Sequence, residues 1–157
     1  MRLWRLTRFL ELDGKGGAFT AARWHEQGLY VLYTATQPAG ALIEVLCHLD
    51  VETDEIPDGY RLVGMDVPDA VIKRALVPKL PVAWADDIDK TRALGSAWLR
   101  EDKSLLYRIP SAIIDQTWNY LVNPRHTDLK TISVTYDQEF RFDERLLAIK
   151  KPSKRSR

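Results

Sequence analysis

The fold is decided by residues 29–49, which read LYVLYTATQPAGALIEVLCHL. The first six of these residues, 29–34, are apolar or aromatic apart from the last, a pattern typical of a buried strand. Pro38 follows at a position that suits the first turn of a helix. Beyond it, apolar residues recur at the spacing of one core-facing helical stripe, at Leu42, Ile43, Leu46 and Leu49. A strand that leads directly into an amphipathic helix predicts mixed α and β structure.

The flanking sequence adds strands and helices on both sides of this stretch. Strands are predicted at residues 3–8, 60–67, 105–109 and 132–142, and the glycine-rich residues 14–17 interrupt the chain after the first of them. A helix is predicted over residues 89–101, and Asp143 is a candidate cap for a short helical turn through residue 147. Neither a repeat nor a linker is present, so we expect one domain.

Composition limits the class of protein. The chain has 157 residues, of which 45% are hydrophobic, enough for one compact domain with its own core. Its single cysteine, Cys47, excludes a disulfide framework and a cysteine-based zinc site. No apolar run approaches the roughly 20 residues that span a bilayer, and the first residues lack the apolar stretch of a signal peptide. We therefore expect a cytoplasmic protein without a membrane partner.

The formal net charge of +1 hides an uneven distribution. Residues 150–157 hold five of the 23 basic residues and none of the 22 acidic ones, which leaves 18 basic against 22 acidic residues in the body. An acidic body does not favour a nucleic-acid platform, which normally shows a basic face. The basic end is predicted to be a disordered tail, because so short a charged segment buries too little to order itself.

The residues suited to chemistry cluster around the predicted first helix. Helical rotation places Glu44 and His48 on the face opposite the apolar stripe, where they either are solvated or face a pocket. Arg23 could grip a diphosphate through its planar donors, and Tyr33 could stack on a heteroaromatic ring. A carboxylate such as that of Glu44 could stabilise positive charge at an anomeric carbon. Spacing alone leaves these alternatives open.

Six stretches, in order along the chain, closely resemble the RES-domain family, which is named for an arginine, a glutamate and a serine. They are GAFTAARWHEQG (17–28), VLYTA (31–35), ALIEVLCHL (41–49), PSAI (110–113), NYLVNPRH (119–126) and FDERL (142–146). Many members have two glycines before the arginine, where this chain has Ala21 and Ala22. The match runs from about residue 3 to residue 147, which predicts a RES domain over residues 1–149 and a tail over residues 150–157.

The resemblance implies a function and a site. RES domains are similar to ADP-ribosyltransferases, so it implies an α+β domain with a bent, mixed, mostly antiparallel β core flanked by helices. It implies a toxin that acts on NAD+ as substrate and needs no metal. Its partners would be an antitoxin with a Xre-like helix-turn-helix domain, which alone would contact DNA, and a second copy in a homodimer. Catalytic roles fall on Arg23, Tyr33 and Glu44, and substrate-binding roles on Arg5, Trp24, Ser111 and Asn123.

Several alternatives remain at this stage. Arg23 could be a surface residue bonded to Glu26, and Ser111 could serve only to begin a turn or cap a helix. His25 and His126 could serve as acid and base in a ribonuclease toxin, and the basic tail could belong to a nucleic-acid-binding module. Within NAD+ chemistry the acceptor could be water, phosphate or a protein side chain, the last making the protein an ADP-ribosyltransferase.

Overall fold

The protein is built around one six-stranded sheet, seen in a computed structural model that describes residues 1–49 and 58–148. Within this part of the chain every strand pair is antiparallel. The strands are β1 (Arg2–Thr7), β2 (Leu32–Ala35), β3 (Arg61–Asp66), β4 (Leu106–Pro110), β5 (Trp118–Val122) and β6 (Ser133–Glu139). Their order across the sheet is β4-β5-β2-β1-β3-β6. The predicted basic tail, 150–157, lies outside the described residues.

Five α-helices surround the sheet in the described part of the chain. They are α1 (Gly16–Phe19), α2 (Pro38–His48), α3 (Asp69–Lys73), α4 (Ile88–Glu101) and α5 (Glu144–Ala148). A 3-10 helix, Thr127–Thr131, precedes β6. The prediction of a single α+β domain with a mostly antiparallel β core flanked by helices is confirmed. None of these helices is both long enough and apolar enough to cross a membrane.

The three predicted helices, α2, α4 and α5, begin within one residue of the positions that the sequence predicts, and local features mark each start. Pro38 occupies the first turn of α2, where its missing N–H costs nothing. The Asp87 side chain accepts a hydrogen bond from the backbone N–H of Lys90 at 2.8 Å and so caps α4. The Asp143 carboxylate accepts from the backbone N–H of Arg145 at 2.9 Å at the start of α5.

The strand predicted over residues 29–34 is partly wrong. Strand β2 begins only at Leu32, because the backbone N–H of Val31 donates to the carbonyl of Gly14 and that of Leu29 to the carbonyl of Glu26. The apolar residues 29–31 are therefore held by loop contacts. Strand β5, helices α1 and α3 and the 3-10 helix were not predicted, because their short segments carry little periodicity.

The apolar stripe of α2 packs on one of three core clusters. Of this helix only Ala41 is fully buried, while Leu42, Leu46 and Leu49 pack in partly buried positions against Leu6, Ala35 and Phe142. Val45 also packs against this cluster, whereas Ile43, which was predicted to do so, is not among the residues packed there. Helix α2 thus lies across β1 and β2 with its Glu44 side turned away from the cluster.

Strands β1 and β2 are paired over only a short length. A single register pair in the described chain, Trp4 with Ala35, joins these two strands. By contrast, β1 is paired with β3 over six residues. Beyond Trp4 and Ala35 the two central strands part, and side chains from both line a cavity between them.

Candidate active site

A cavity of about 570 Å³ opens where β1 and β2 separate. That volume falls within the range of pockets for nucleotide-sized ligands. The cavity is lined by the end of β1, the loop before β2, one side of α2, and the segment that joins β4 to β5. Five residues with predicted catalytic or binding roles border it, namely Arg5, Arg23, Trp24, Tyr33 and Glu44. Arg5 and Glu44, which are 39 positions apart along the chain, thus meet at one site.

The Glu44 carboxylate is held by two donors on a single oxygen. Its Oε1 accepts from the hydroxyl of Ser111 at 3.0 Å and from the side-chain amide of Asn119 at 2.7 Å. Among the described residues nothing bonds the other oxygen, Oε2. The side chain is therefore fixed in orientation while one anionic oxygen stays open to a ligand in the cavity.

Ser111 performs two tasks at once. Its hydroxyl oxygen accepts from the backbone N–H groups of Ile113 and Ile114, at 3.1 and 3.2 Å, and so forms the turn after β4. With both acceptor positions occupied, the hydroxyl hydrogen is directed to Glu44. Ser111 thus both forms the turn and orients Glu44, while its predicted role in substrate binding stays a prediction.

The loop that carries Arg23 is clamped by α4. Arg92 donates from Nε to the carbonyl of Ala22 at 3.0 Å, and the Ser96 hydroxyl accepts from the backbone N–H of Glu26 at 2.9 Å. Gly95 lies between these two contacts, and a Cβ there would come within 1.9 Å of the Trp24 carbonyl oxygen. The loop therefore approaches the helix more closely than any side chain allows.

Arg23 itself bonds outside its own loop. Its NH1 donates to the carbonyl of Ala85 at 2.8 Å, while Glu26 pairs with Arg100. The alternative in which Arg23 is bonded to Glu26 is therefore wrong. The guanidinium borders the cavity, and its remaining donors match the oxygens of a phosphate.

Arg5 brings a second guanidinium to the cavity. Its NH1 is the one buried side-chain nitrogen or oxygen of the described residues without a hydrogen-bond partner. Burial lowers the pKa of Arg5, and the distant charge of Asp13 offsets this only in part. A buried donor left unpaired is costly, and an anionic ligand in the cavity would supply the missing acceptor.

The charged residues around the cavity are mostly cationic. Arg5, Arg8 and Arg23 line it, with Glu44 as the one carboxylate among its described lining residues. In the described chain no group of three or more metal-ligating side chains could hold a metal ion. The site therefore attracts an anion and presents one fixed negative charge to it.

Comparison with known proteins identifies the family. The RES domain model matches residues 2–143. The chain belongs to the RES-domain family.

Among relatives of this RES domain, a Pseudomonas putida protein named Toxin Res is 39% identical over 146 residues, which cover 93% of this chain and 99% of that protein. A Sphingobium protein named Prs ADP-ribosylating toxin is 32% identical over 142 residues, or 87% of each chain. The M. tuberculosis MbcT–MbcA toxin–antitoxin complex contains a chain with the same fold, at a TM-score of 0.67, 17% identity and coverage of 89% of this chain and 84% of that one.

Of the predicted binding residues of the RES domain, Ser111 and Asn123 are not cavity-lining residues, and Trp24 lines the cavity only with a small part of its surface. Trp24 borders it, but its ring is 3% exposed and packs against Trp84 and Tyr107 at 5.9 and 6.4 Å. Trp24 is therefore mainly a core residue. Asn123 is not a lining residue, since its amide donates to Asp102 at 2.7 Å and its oxygen accepts from the Arg125 N–H at 3.0 Å. Asn123 joins the end of α4 to the end of β5, and its role in substrate binding stays a prediction.

One residue that the RES domain brings to the cavity, Asn119, was not singled out from the sequence. Asn119 was seen only as part of a motif, although it holds Glu44. His25 and His48 also line the cavity, while His126 caps the 3-10 helix outside it. Prediction of strand β5 would have revealed Asn119, because the residues of a strand alternate between two faces and Asn119 lies next to the buried Tyr120.

Proposed function

We propose that this protein is the toxin of a toxin–antitoxin pair and that it cleaves NAD+ at the bond between nicotinamide and ribose. One observation carries the proposal: a single cavity is lined by Arg5, which has a buried unpaired donor, by Arg23, and by Glu44, which is fixed on one oxygen. A dinucleotide supplies a diphosphate for the two arginines and an anomeric carbon for the glutamate. The Toxin Res name of the Pseudomonas putida relative supports the toxin role.

The chemistry follows from the leaving group. Nicotinamide departs as a neutral ring from a cationic pyridinium, so it needs little help from an acid. As the bond between nicotinamide and ribose breaks, the ribose becomes oxocarbenium-like. The enzyme positions the substrate and places negative charge near the anomeric carbon. Glu44 Oε2 supplies that charge from a rigid helix. Arg5 and Arg23 bind the diphosphate, and the Tyr33 ring stacks on the nicotinamide side.

The acceptor that completes the reaction is water or phosphate in our proposal. A protein side chain is the second candidate, and the Sphingobium relative named Prs ADP-ribosylating toxin favours it. The cleavage step is the same in each case, because the acceptors differ only in what reaches the ribosyl cation. No metal is required by any of these routes.

An antitoxin is the expected partner. Large apolar side chains stand exposed at the cavity lining, with Phe9 at 66% and Ile113 at 40% exposure. A segment of the partner that covers these side chains would also block access to Glu44. We propose a Xre-like helix-turn-helix antitoxin in this role, DNA contact only through it, a homodimer of the toxin, and action in the cytoplasm.

Expression in a bacterial host without antitoxin tests the proposal. We expect growth arrest with a fall in cellular NAD+ and intact RNA. Glu44→Gln, which keeps the Oε1 acceptor and removes the charge, should restore both growth and the NAD+ pool. RNA fragmentation with unchanged NAD+ would instead favour a ribonuclease, and the proposal would fail.

A further inference from the structure

A chain of hydrogen bonds runs from Tyr33 into the protein and uses a residue that the proposed chemistry leaves without a role. The Tyr33 hydroxyl lies 2.8 Å from His25 Nδ1, and His25 Nε2 lies 3.2 Å from the carbonyl oxygen of Gly17. The backbone N–H of Trp24 also donates to the Tyr33 oxygen, at 3.3 Å. His25 as a whole is 2% exposed.

The direction of each bond follows from the carbonyl of Gly17. A carbonyl oxygen only accepts, so His25 Nε2 must carry the hydrogen. In the neutral ring Nδ1 is then an acceptor, and the Tyr33 hydroxyl donates to it. Burial favours this neutral form, because it lowers the pKa of His25. The Tyr33 hydroxyl is thus committed within the protein, and the part of Tyr33 left for a ligand is its ring.

The backbone leaves His25 little alternative. A Cβ on Gly17 would lie 2.9 Å from His25 Nε2 and 2.5 Å from the Leu29 carbonyl oxygen, so the ring fits only against a glycine. His25 is also two residues from Arg23, while Tyr33 lies in β2. The bond between them therefore links the arginine loop to the strand at the place where β1 and β2 part.

We propose that His25 is a positioning residue that fixes the Tyr33 ring, through its Nδ1, at the angle required to stack on the nicotinamide end of the substrate. This inference rests on the proposed function for the identity of the substrate. Tyr33 then acts through its ring alone, and its hydroxyl neither donates nor accepts a proton in the reaction.

A double-mutant cycle on the full chain tests this role with NAD+ as substrate. Tyr33→Phe and His25→Leu each remove one end of the same bond, so each should lower kcat/KM about tenfold, and the double variant should lose no more than about tenfold. The loss should fall on KM, because stacking holds the ground state as well as the transition state. His25→Asn, whose Oδ1 takes the place of Nδ1, should recover most of the loss.

Two other outcomes overturn the proposal. A double variant about a hundredfold slower would mean that the two side chains act independently. A loss confined to kcat in His25→Leu, with KM unchanged and the parental Tm retained, would mean that His25 does not act by holding Tyr33 against the bound substrate. His126→Leu, which removes a histidine outside the cavity, is the matched control and should leave kcat/KM unchanged.

Nitrogen-15 NMR of the unmodified protein gives a second test that needs no substrate. We expect the His25 ring to show a protonated Nε2 and a hydrogen-bonded, unprotonated Nδ1, with the Nδ1 signal shifting in Tyr33→Phe. A protonated Nδ1, or one that is insensitive to Tyr33→Phe, would overturn the positioning role whether or not the protein cleaves NAD+. If instead the NMR result holds and nicotinamide is not released, only the proposed function fails.

Discussion

Replacement of Arg5 by methionine should make the protein more stable and bind its ligand more weakly. Arg5 NH1 is buried without a hydrogen-bond partner in the ligand-free protein, and a buried unpaired donor costs about 1–3 kcal/mol. Methionine has a similar length and no polar hydrogen, so Arg5→Met should raise the free energy of unfolding by about 1–2 kcal/mol. For a domain of this size, each such kcal/mol raises Tm by about 2–4 °C.

The same substitution removes a charged hydrogen-bond donor of the protein that would bind the ligand. A hydrogen bond to a charged group contributes about 1.5–3 kcal/mol, so the Kd for a diphosphate ligand should rise roughly 10- to 150-fold. Thermal unfolding followed by circular dichroism measures the first effect. Calorimetric titration with ADP-ribose, which contains the diphosphate and cannot lose nicotinamide, measures the second.

Arg2→Met provides the control on the same strand. Arg2 lies at the other end of β1, outside the cavity lining, and forms an exposed ion pair with Asp66. Exposed pairs contribute little, so both Tm and ADP-ribose affinity should stay close to those of the parent. An Arg5→Met protein that is less stable and binds ADP-ribose as well as the parent would refute the assignment of Arg5 to an anion site.

Three further predictions follow from the same structure. Glu44→Gln should lower kcat for nicotinamide release about 10²–10³-fold with little change in ligand affinity, as measured by steady-state kinetics. Gly95→Ala places a Cβ 1.9 Å from the Trp24 carbonyl oxygen and should cost at least about 3 kcal/mol in urea unfolding, whereas Gly16→Ala, which meets nothing within 4 Å, should not. Because burial lowers the pKa of His25 from 6.5, the unfolded chain binds a proton that the native protein does not. The free energy of unfolding should therefore fall as the pH drops below 6.5, and His25→Asn should remove that contribution.

The fold could be predicted where the residues of a single segment are enough to determine its secondary structure. Helix α4 was predicted to within one residue at its start, because what starts it, the Asp87 cap, is local to the segment. The predicted start of strand β2 is three residues too early, because the backbone N–H of Val31 donates to the carbonyl of Gly14 in a loop and not to a neighbouring strand. Contacts of this kind join distant segments, and no spacing within either segment reveals them.

The same limit applies to the site. Arg23, Tyr33 and Glu44 were selected by resemblance, and they line one cavity. The bonds that orient Glu44 come from Ser111 and Asn119, which lie 67 and 75 residues farther along the chain. Helical spacing places Glu44 off the core but cannot say what it meets there. Only the sheet order, with β5 beside β2, brings those donors to it.

Release of nicotinamide from NAD+ by the purified protein tests the central claim most directly. The protein is incubated with NAD+, with and without phosphate, and the products are identified by mass. We predict one nicotinamide for each NAD+ consumed, together with ADP-ribose or its phosphorylated form, and a rate that collapses in Glu44→Gln. Unchanged NAD+ under both conditions, or equal rates for the parent and Glu44→Gln, would contradict the account.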